Sequence, residues 1–588
     1  MFVRDTVLFL FALVFLLSAF HAAQPSFSNG RYRFVPQKEW TSFTHPFSMN
    51  TEDDVEVEIL STMRVGLIRP SRYRIVPDDC IQSITVNRLE LPAEFFPLCG
   101  YVYGKDLKFS PYLRAGENTL LVALQNDGGL SKLQISVAPN DPLLFLLRFL
   151  VVLLIFVYFW KVALRYCKKR FDVLLWLIFA FATFMRLYYF FGTPYGIRGH
   201  DTDGHVEYIQ YLLDHSFAMP SSGTGWEFYH PPLYYALSAV WMQIHSLFEP
   251  LKAALLRGLQ VEALLLSIGT YGVICWISSL LFPKRKHRKD RLMFLLVLAV
   301  QPSLLYFSAR VNNDVLYQLF AFVAFGFLLR WWRDERPRDW YVAIVATGLG
   351  ILTKSNALLL LPVLYGCLLI RKKMSWDKKL KLGIRGILAI LCMCAWFYVV
   401  RFGWENNTSL IENTRNLHSG LRVENSIDTL TEFNPLRLIL EPYNNAWGGE
   451  VRNHFWEYWF LSSLFGEFSF GPVLRPLASA LVALALFLLP VLFIGFYRII
   501  RHAWYKTFPL WYSVLVLLAG HIAIRQYEPF SPTQDFRFAV LLLVPAVYSL
   551  LIGIRLLPKK RRPLFRGALL LLVALCSLFI VSIPFVRV

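Results

Sequence analysis

Charge is scarce in this chain, and acid is the scarcer half of it: 17% of the 588 residues are Asp, Glu, Lys or Arg, with 40 acids against 60 bases. Soluble domains carry about 25% charged and about 45–50% apolar residues, whereas here the apolar share is 56% and the aromatic share 16%. Also missing is a glycine-rich turn between a strand and a helix, so a soluble nucleotide has no recognisable seat. No internal repeat of the kind many transporters show is present either. Cysteine is rare, eight in all, and only Cys80 and Cys99 fall ahead of the first long apolar run.

What abounds is apolar sequence, in runs of about 20 residues that suffice to cross a hydrocarbon core. Spans are predicted at 143–164, 171–191, 258–282, 292–309, 315–332, 340–353, 356–371, 383–402, 476–497, 508–525, 536–557 and 566–585. The fold class is therefore a polytopic α-helical membrane protein of about 12–13 spans, the higher number counting the N-terminal segment. The net charge of +20 is gathered at Lys168-Lys169-Arg170, KRKHRKDR (284–291), RKKMSWDKKLK (371–381) and KKRR (559–562). Each cluster sits between apolar runs, the placement expected of cytoplasmic loops, and nucleic acid is not a partner. With those loops inside, PLYYALSAVWMQIHSLF (232–248) has to lie along the outer interface, since a span there would put KRKHRKDR outside. The remaining six cysteines fall in spans or at cytoplasmic ends as small packing residues.

Ahead of the membrane core, residues 1–23 read as a signal peptide or a signal anchor: a short apolar run behind Arg4, then SAFHAAQ. Residues 24–142 read as an exported β-sandwich, because DVEVEILSTMRVGLI and NTLLVALQ alternate apolar and polar positions and KLQISVAP adds a further short run. In an oxidising compartment Cys80 and Cys99 are expected to pair. The stretches VPDDCIQSITVNRLELP and YLRAGENTLLVALQNDGG resemble galactose-binding-type jelly-roll modules, which implies a carbohydrate context.

Residues 143–588 form the expected catalytic core, with exported loops at 192–257 and 404–475. The first loop opens with GHDTDGHVEYIQYLLDHSF, where His200 and His205 flank Asp201 and Asp203 at the start of an amphipathic helix. Asp203 occupies the predicted N-cap, where free N–H groups keep a carboxylate ionised and poorly basic. Asp201, outside the cap, is then the better proton acceptor. GTGWEFYHPPLYY follows, presenting Glu227, Tyr229 and His230 ahead of Pro231, which bars His230 from helical geometry. Arg310 and Asp314 in SARVNNDV, Lys354 in ILTKSN and Arg537 in QDFRF stand at the outer ends of spans, where ionisable groups are functional candidates. The second loop, polar at its start and aromatic at its end, suits a lid or binding surface.

Taken in order, HDTDGHVEYIQYL, YHPPLYY, NND, LGILTKSN and QDFRF resemble the GT-C glycosyltransferases, nearest to the protein O-mannosyltransferase and aminoarabinose transferase branch. The resemblance implies a membrane enzyme taking sugar from a polyprenyl-phosphate donor, with inversion at the anomeric carbon, and an acceptor that is a glycan, lipid or protein. It implies that Asp201 is the catalytic aspartate and Asp314 the second acid, and that Lys354, Arg537 and, with them, Arg310 face the donor phosphate. The branch commonly has an adjacent Asp-Glu pair; here the acids are spaced Asp-Thr-Asp, which leaves Asp201 and Asp203 both open. A divalent cation between those two could be held, although a lone D-x-D pattern says little about a metal. His200, His205, Glu227, Tyr229 and His230 are the remaining expected donor or acceptor contacts. The expected location is a bacterial inner membrane, with the site facing the periplasm or exterior. The rival reading is a flippase for a lipid-linked saccharide, whose polar residues would sit near the bilayer midplane rather than at one face.

Overall fold

The computed structural model describes residues 2–585 except 46, 52–54, 79, 100–104, 127–128, 139–140, 145, 148–149, 152–153, 155–157, 159–160, 162–169, 200, 248–251, 406 and 408–418. The predicted span at 143–164 and His200 thus lie largely or wholly outside the described residues.

The N-terminal strands form two antiparallel sheets. One runs in the order Thr41–Ser42, Ser26–Phe34, Val55–Val65, Gly116–Asn126, Cys80–Val86, Leu89–Glu90, with Leu98–Cys99 also pairing Cys80–Val86. The other runs Phe47–Thr51, Gly129–Val137, Arg72–Pro77, Lys105–Lys108. Period-2 patterning explains the packing: Val57, Ile59, Met63 and Val65 of one strand and Leu120, Val122 and Leu124 of its neighbour turn inward to a core shared with Tyr73 and Ile75 of the facing sheet. Cys80 stands opposite Cys99 in the register, their Cα atoms 4.1 Å apart and their sulfurs bonded. At the lower rim the buried Asp141 carboxylate accepts from the backbone N–H groups of Ser71, Arg72, Leu143 and Leu144 at 2.7–3.2 Å. One side chain thereby ties the sandwich to the chain that leaves it.

Among the described residues eight helices are long and apolar enough to span a bilayer, and nine if a bent pair is counted as one. Their bounds, Phe171–Gly192, Leu255–Leu281, Asp314–Asp334, Trp376–Trp404, Gly471–Ala503, Phe508–Tyr527, Ser531–Leu556 and Arg562–Ser582, overlap eight of the predicted spans. The differences have local causes. Residues 292–309 are not straight: Arg285–Val300 and Pro302–Ala309 meet at 61°, because Pro302 cannot donate the helical hydrogen bond and clashes with the preceding turn. Residues 340–353 and 356–371 form helices of 17 and 11 residues, Pro337–Thr353 and Leu360–Ile370, parted where Lys354 takes an extended backbone. That break sets the Lys354 side chain free to turn inward. Helix Leu233–Ser246 has only 14 residues and packs through Tyr234, Tyr235, Ala239 and Met242.

The tightest crossing in the bundle is between Gly471–Ala503 and Leu543–Leu556. A Cβ on Gly495 would stand 1.8 Å from the Ser549 carbonyl oxygen, and one on Gly553 2.0 Å from that of Val491. Only glycine permits such backbone contact.

Candidate active site

The loop between helices Arg170–Gly192 and Lys252–Leu281 carries the first cluster. Helix Thr202–Asp214 begins two residues earlier than the sequence suggests, and its N-cap is Asp201, in the left-handed region at φ 58°. This corrects the assignment of Asp203 as the cap: Asp203 is inside the first turn, and its carboxylate is held by the sandwich, 3.1 Å from Lys132 Nζ, with the Tyr195 hydroxyl donating at 3.4 Å. Asp201 does not bond its own helix through its side chain; Trp226 Nε1 donates to its Oδ1 at 3.3 Å. The two carboxylates are therefore bonded to different partners. Among the described residues no group of three or more His, Cys, Asp or Glu side chains could hold a metal ion.

Behind Asp201 lies a buried set of ionisable side chains. Glu227 is 3% exposed and its Oε2 is 2.8 Å from His230 Nε2 and 4.0 Å from His205 Nδ1, which also meets the Tyr235 hydroxyl at 2.9 Å. Gly204 makes room for this arrangement, since a Cβ there would come within 2.9 Å of Glu227 Cγ. Burial pushes the Glu227 carboxyl up to about 7 and the His205 imidazole down to about 4, and drives His230 well below its ordinary value. Near neutral pH both imidazoles are uncharged and Glu227 is close to half-protonated. Tyr229 packs its ring against His230, centroids 4.1 Å apart, and burial raises its phenol. Arg401 pins the loop, donating to the carbonyls of Pro220 at 2.9 Å and Phe228 at 2.6 Å while paired with Glu405 at 2.7 Å.

The helix bundle contributes the cations. Lys354 Nζ is 2.7 Å from Asp314 Oδ1, and the other Asp314 oxygen accepts from Asn312 Nδ2 at 3.1 Å. Arg537 follows Asp535, whose Oδ1 accepts its backbone N–H at 2.7 Å, and faces Glu467 Oε2 at 3.9 Å. The rings around them are shared: Phe538 lies 5.1 Å below Lys354 Nζ and 5.0 Å from the Arg537 guanidinium. Arg310, 6% exposed and over the Phe468 ring at 5.9 Å, has no hydrogen-bond partner for Nε or Nη2 and no ion pair among the described residues.

The described catalytic and ligand-binding candidates from the sequence gather in this one region; Asp203 borders the same cavity as Asp201, but its carboxylate is held by Lys132 of the sandwich. Glu467 and Asp535 were missed. Asp535 sits two residues before Arg537 in the motif that was read and could have been found there; Glu467, in GEFSF of the second loop, has no nearby sequence signal.

Residues 230–398 match the family described as dolichyl-phosphate-mannose-protein mannosyltransferase. No curated protein is similar to the chain in sequence. Among solved structures, the oligosaccharyltransferase of Archaeoglobus fulgidus aligns at 13% identity over 69% of this chain and 53% of its own, with a TM-score of 0.42. The chain thus spans about half the length of that enzyme. ArnT from Cupriavidus metallidurans aligns at 15% identity, covering 69% of this chain and 76% of its own, at TM-score 0.33. Arabinosyltransferase EmbB from Mycobacterium smegmatis aligns at 13% identity over 94% and 63%, at TM-score 0.31. The matched stretch 230–398 holds His230, Arg310, Asp314 and Lys354, so four of the candidate residues lie in the part of the chain that is similar to that mannosyltransferase family.

Proposed function

We propose that this protein transfers a sugar from a polyprenyl-phosphate donor to an acceptor hydroxyl on the exported face of the membrane. Asp201 takes the hydroxyl proton, the acceptor oxygen attacks the anomeric carbon, and the bond to the phosphate oxygen breaks on the opposite side with inversion. The polyprenyl phosphate leaves with the electron pair, and its charge falls to the buried guanidinium of Arg310, with Arg537 beside it.

The observation that carries this reading is Arg310. Lys354 is paired with Asp314, and the Arg537 guanidinium faces Glu467. A guanidinium buried without an ion pair costs several kcal/mol, so its place in the cluster calls for an anionic ligand. Arg310→Met tests it. Binding of undecaprenyl phosphate to the purified protein should fall roughly 10–100-fold, the worth of a charge-assisted hydrogen bond to phosphate. Thermal stability should hold or rise, since an apolar replacement of a buried charge relieves desolvation. Undiminished binding of undecaprenyl phosphate to the variant would remove the basis of the proposal.

A further inference from the structure

Above the buried cluster lies an open cavity of about 480 Å³, lined by Gly199, Asp201, Thr202, Asp203, Gly204, Glu207 and Trp226. Its size is within the range of roughly 300–1,000 Å³ usual for small-ligand sites. Two of the lining residues are glycines, so backbone rather than side chain forms part of the wall, and both are crowded: a Cβ on Gly199 would stand 2.4 Å from Thr202 Oγ1, and one on Gly204 3.2 Å from Trp226 Cδ1. Thr202 itself is 5% exposed, and its hydroxyl has no hydrogen-bond partner among the described residues. A buried hydroxyl with nothing to bond is disfavoured unless a ligand or water completes it.

The chemistry of the lining is particular. Among the described lining residues Trp226 is the one with an aromatic ring, and its indole nitrogen is engaged with Asp201. The ring is thus fixed beside the proposed base, with its apolar face left to meet a ligand. Around it stand three carboxylates, Asp201, Asp203 and Glu207, of which Asp203 is already matched by Lys132. Carboxylates accept hydrogen bonds and donate none when ionised, so they suit a ligand rich in hydroxyl donors and repel an anionic one. A polar body with an apolar ring face and several adjacent hydroxyls is a neutral pyranose or furanose. A peptide offers one hydroxyl per serine or threonine and no such face.

We infer that this cavity is the acceptor subsite, that it takes the neutral terminal sugar of a glycan, and that Trp226 is its stacking platform with Glu207 holding a second hydroxyl. The inference rests on the transfer reading above and narrows its acceptor. A sugar stacked on Trp226 has one hydroxyl beside Asp201, and Glu207, six residues on in the same cavity lining, reaches another.

The test separates acceptor binding from donor chemistry. Saturation-transfer NMR on the full chain in lipid nanodiscs, with no donor present, is run with methyl α-mannoside, methyl β-galactoside, a methyl glucuronide and a serine-threonine peptide. The expected result is binding of at least one neutral glycoside and exclusion of the glucuronide. Trp226→Phe, which keeps a ring but loses the bond to Asp201, should retain that affinity within about threefold, while Trp226→Ala should lose roughly tenfold or more. Glu207→Gln should weaken the neutral glycoside and admit the glucuronide. Equal or better binding of the peptide or the glucuronide, unchanged affinity in Trp226→Ala, or no glycoside binding in well-folded protein would overturn the inference. Undecaprenyl phosphate binding, measured on the same samples, reports the donor reading independently: its loss in wild type with glycoside binding intact faults the transfer reading and leaves the cavity standing as a sugar site.

Discussion

Asp201→Asn and Asp203→Asn should differ in kind, and the structure says why neither need misfold. Asp201 sits at φ 58°, a conformation asparagine tolerates as well as aspartate. The amide oxygen of the variant can still accept from Trp226 Nε1, now 3.3 Å away. What disappears is the capacity to take a proton. Removing a positioned general base costs about 10²–10⁴ in rate, or roughly 3–5 kcal/mol of transition-state stabilisation. Asp203 loses only an ion pair with Lys132, at a carboxylate that is 64% exposed. Such surface pairs are worth about 0–1 kcal/mol, so its variant should keep turnover within about fivefold. The assay is transfer from purified polyprenyl-phosphate sugar at saturating acceptor, with donor binding measured separately so that lost affinity is not read as lost chemistry. A dead Asp203→Asn beside an active Asp201→Asn would refute the assignment, and rescue of either by a divalent cation would make the pair a metal site.

Three further expectations follow from burial, bonding and topology. Glu227, raised to about 7 from 4.5 by burial, binds its proton more tightly in the folded than in the unfolded chain. Its contribution to stability is full below about pH 4.5 and is lost as pH rises through 7, so Glu227→Gln should gain thermal stability on wild type between pH 5 and pH 8; a constant difference across that range would contradict the burial argument. His205, lowered to about 4 chiefly by burial, acts with the opposite sign as pH falls below its unfolded value of 6.5. Replacing Cys80 and Cys99 by serine should cost the sandwich about 3 kcal/mol for the loop of 19 residues they close, read from denaturant unfolding of the intact protein; no change in midpoint would show that the bond contributes nothing. Cysteine introduced at exposed Thr224 should react with a membrane-impermeant reagent from the exported side and at His287 only from the cytoplasm, and labelling of both from one side would refute the proposed arrangement of spans.

Much of the architecture was legible because apolar length and alternation are local properties. The strand pair Val55–Val65 and Gly116–Asn126 follows the period-2 pattern of DVEVEILSTMRVGLI and NTLLVALQ, and the long helices follow the apolar runs. The bend at Pro302 was not read, because the apolar run 292–309 continues across it, although the proline that causes it is itself a local signal. The site was legible where one motif carried both the chemistry and its placement, as in Glu227 and His230, three residues apart and bonded. It was illegible where the partner came from elsewhere. Lys132 meets Asp203 across 71 residues of sequence, and nothing in HDTDGH announces that a strand of another unit will take up its second aspartate. Glu467 reaches Arg537 across a whole helical hairpin for the same reason. The cap was misplaced by two residues because a left-handed backbone at Asp201 depends on how Gly199 and the Thr202 hydroxyl pack, which spacing does not reveal.

The seam between sandwich and membrane core has a consequence for how the protein is made. Strand Gly129–Val137 supplies Lys132 to Asp203 and Gln134, whose amide donates to the Tyr195 carbonyl at 2.6 Å. Lys132 precedes Asp203 by 71 residues, and at a synthesis rate of about 5–20 residues per second it leaves the ribosome roughly 4–14 s earlier. Two antiparallel sheets close well within that interval. The loop bearing the aspartates is therefore expected to meet a folded surface if it crosses to the same side, before the helices that carry Lys354 and Arg537 are synthesised. The N-terminal unit acts in this order as a template on which the first half of the site is shaped while the second half does not yet exist.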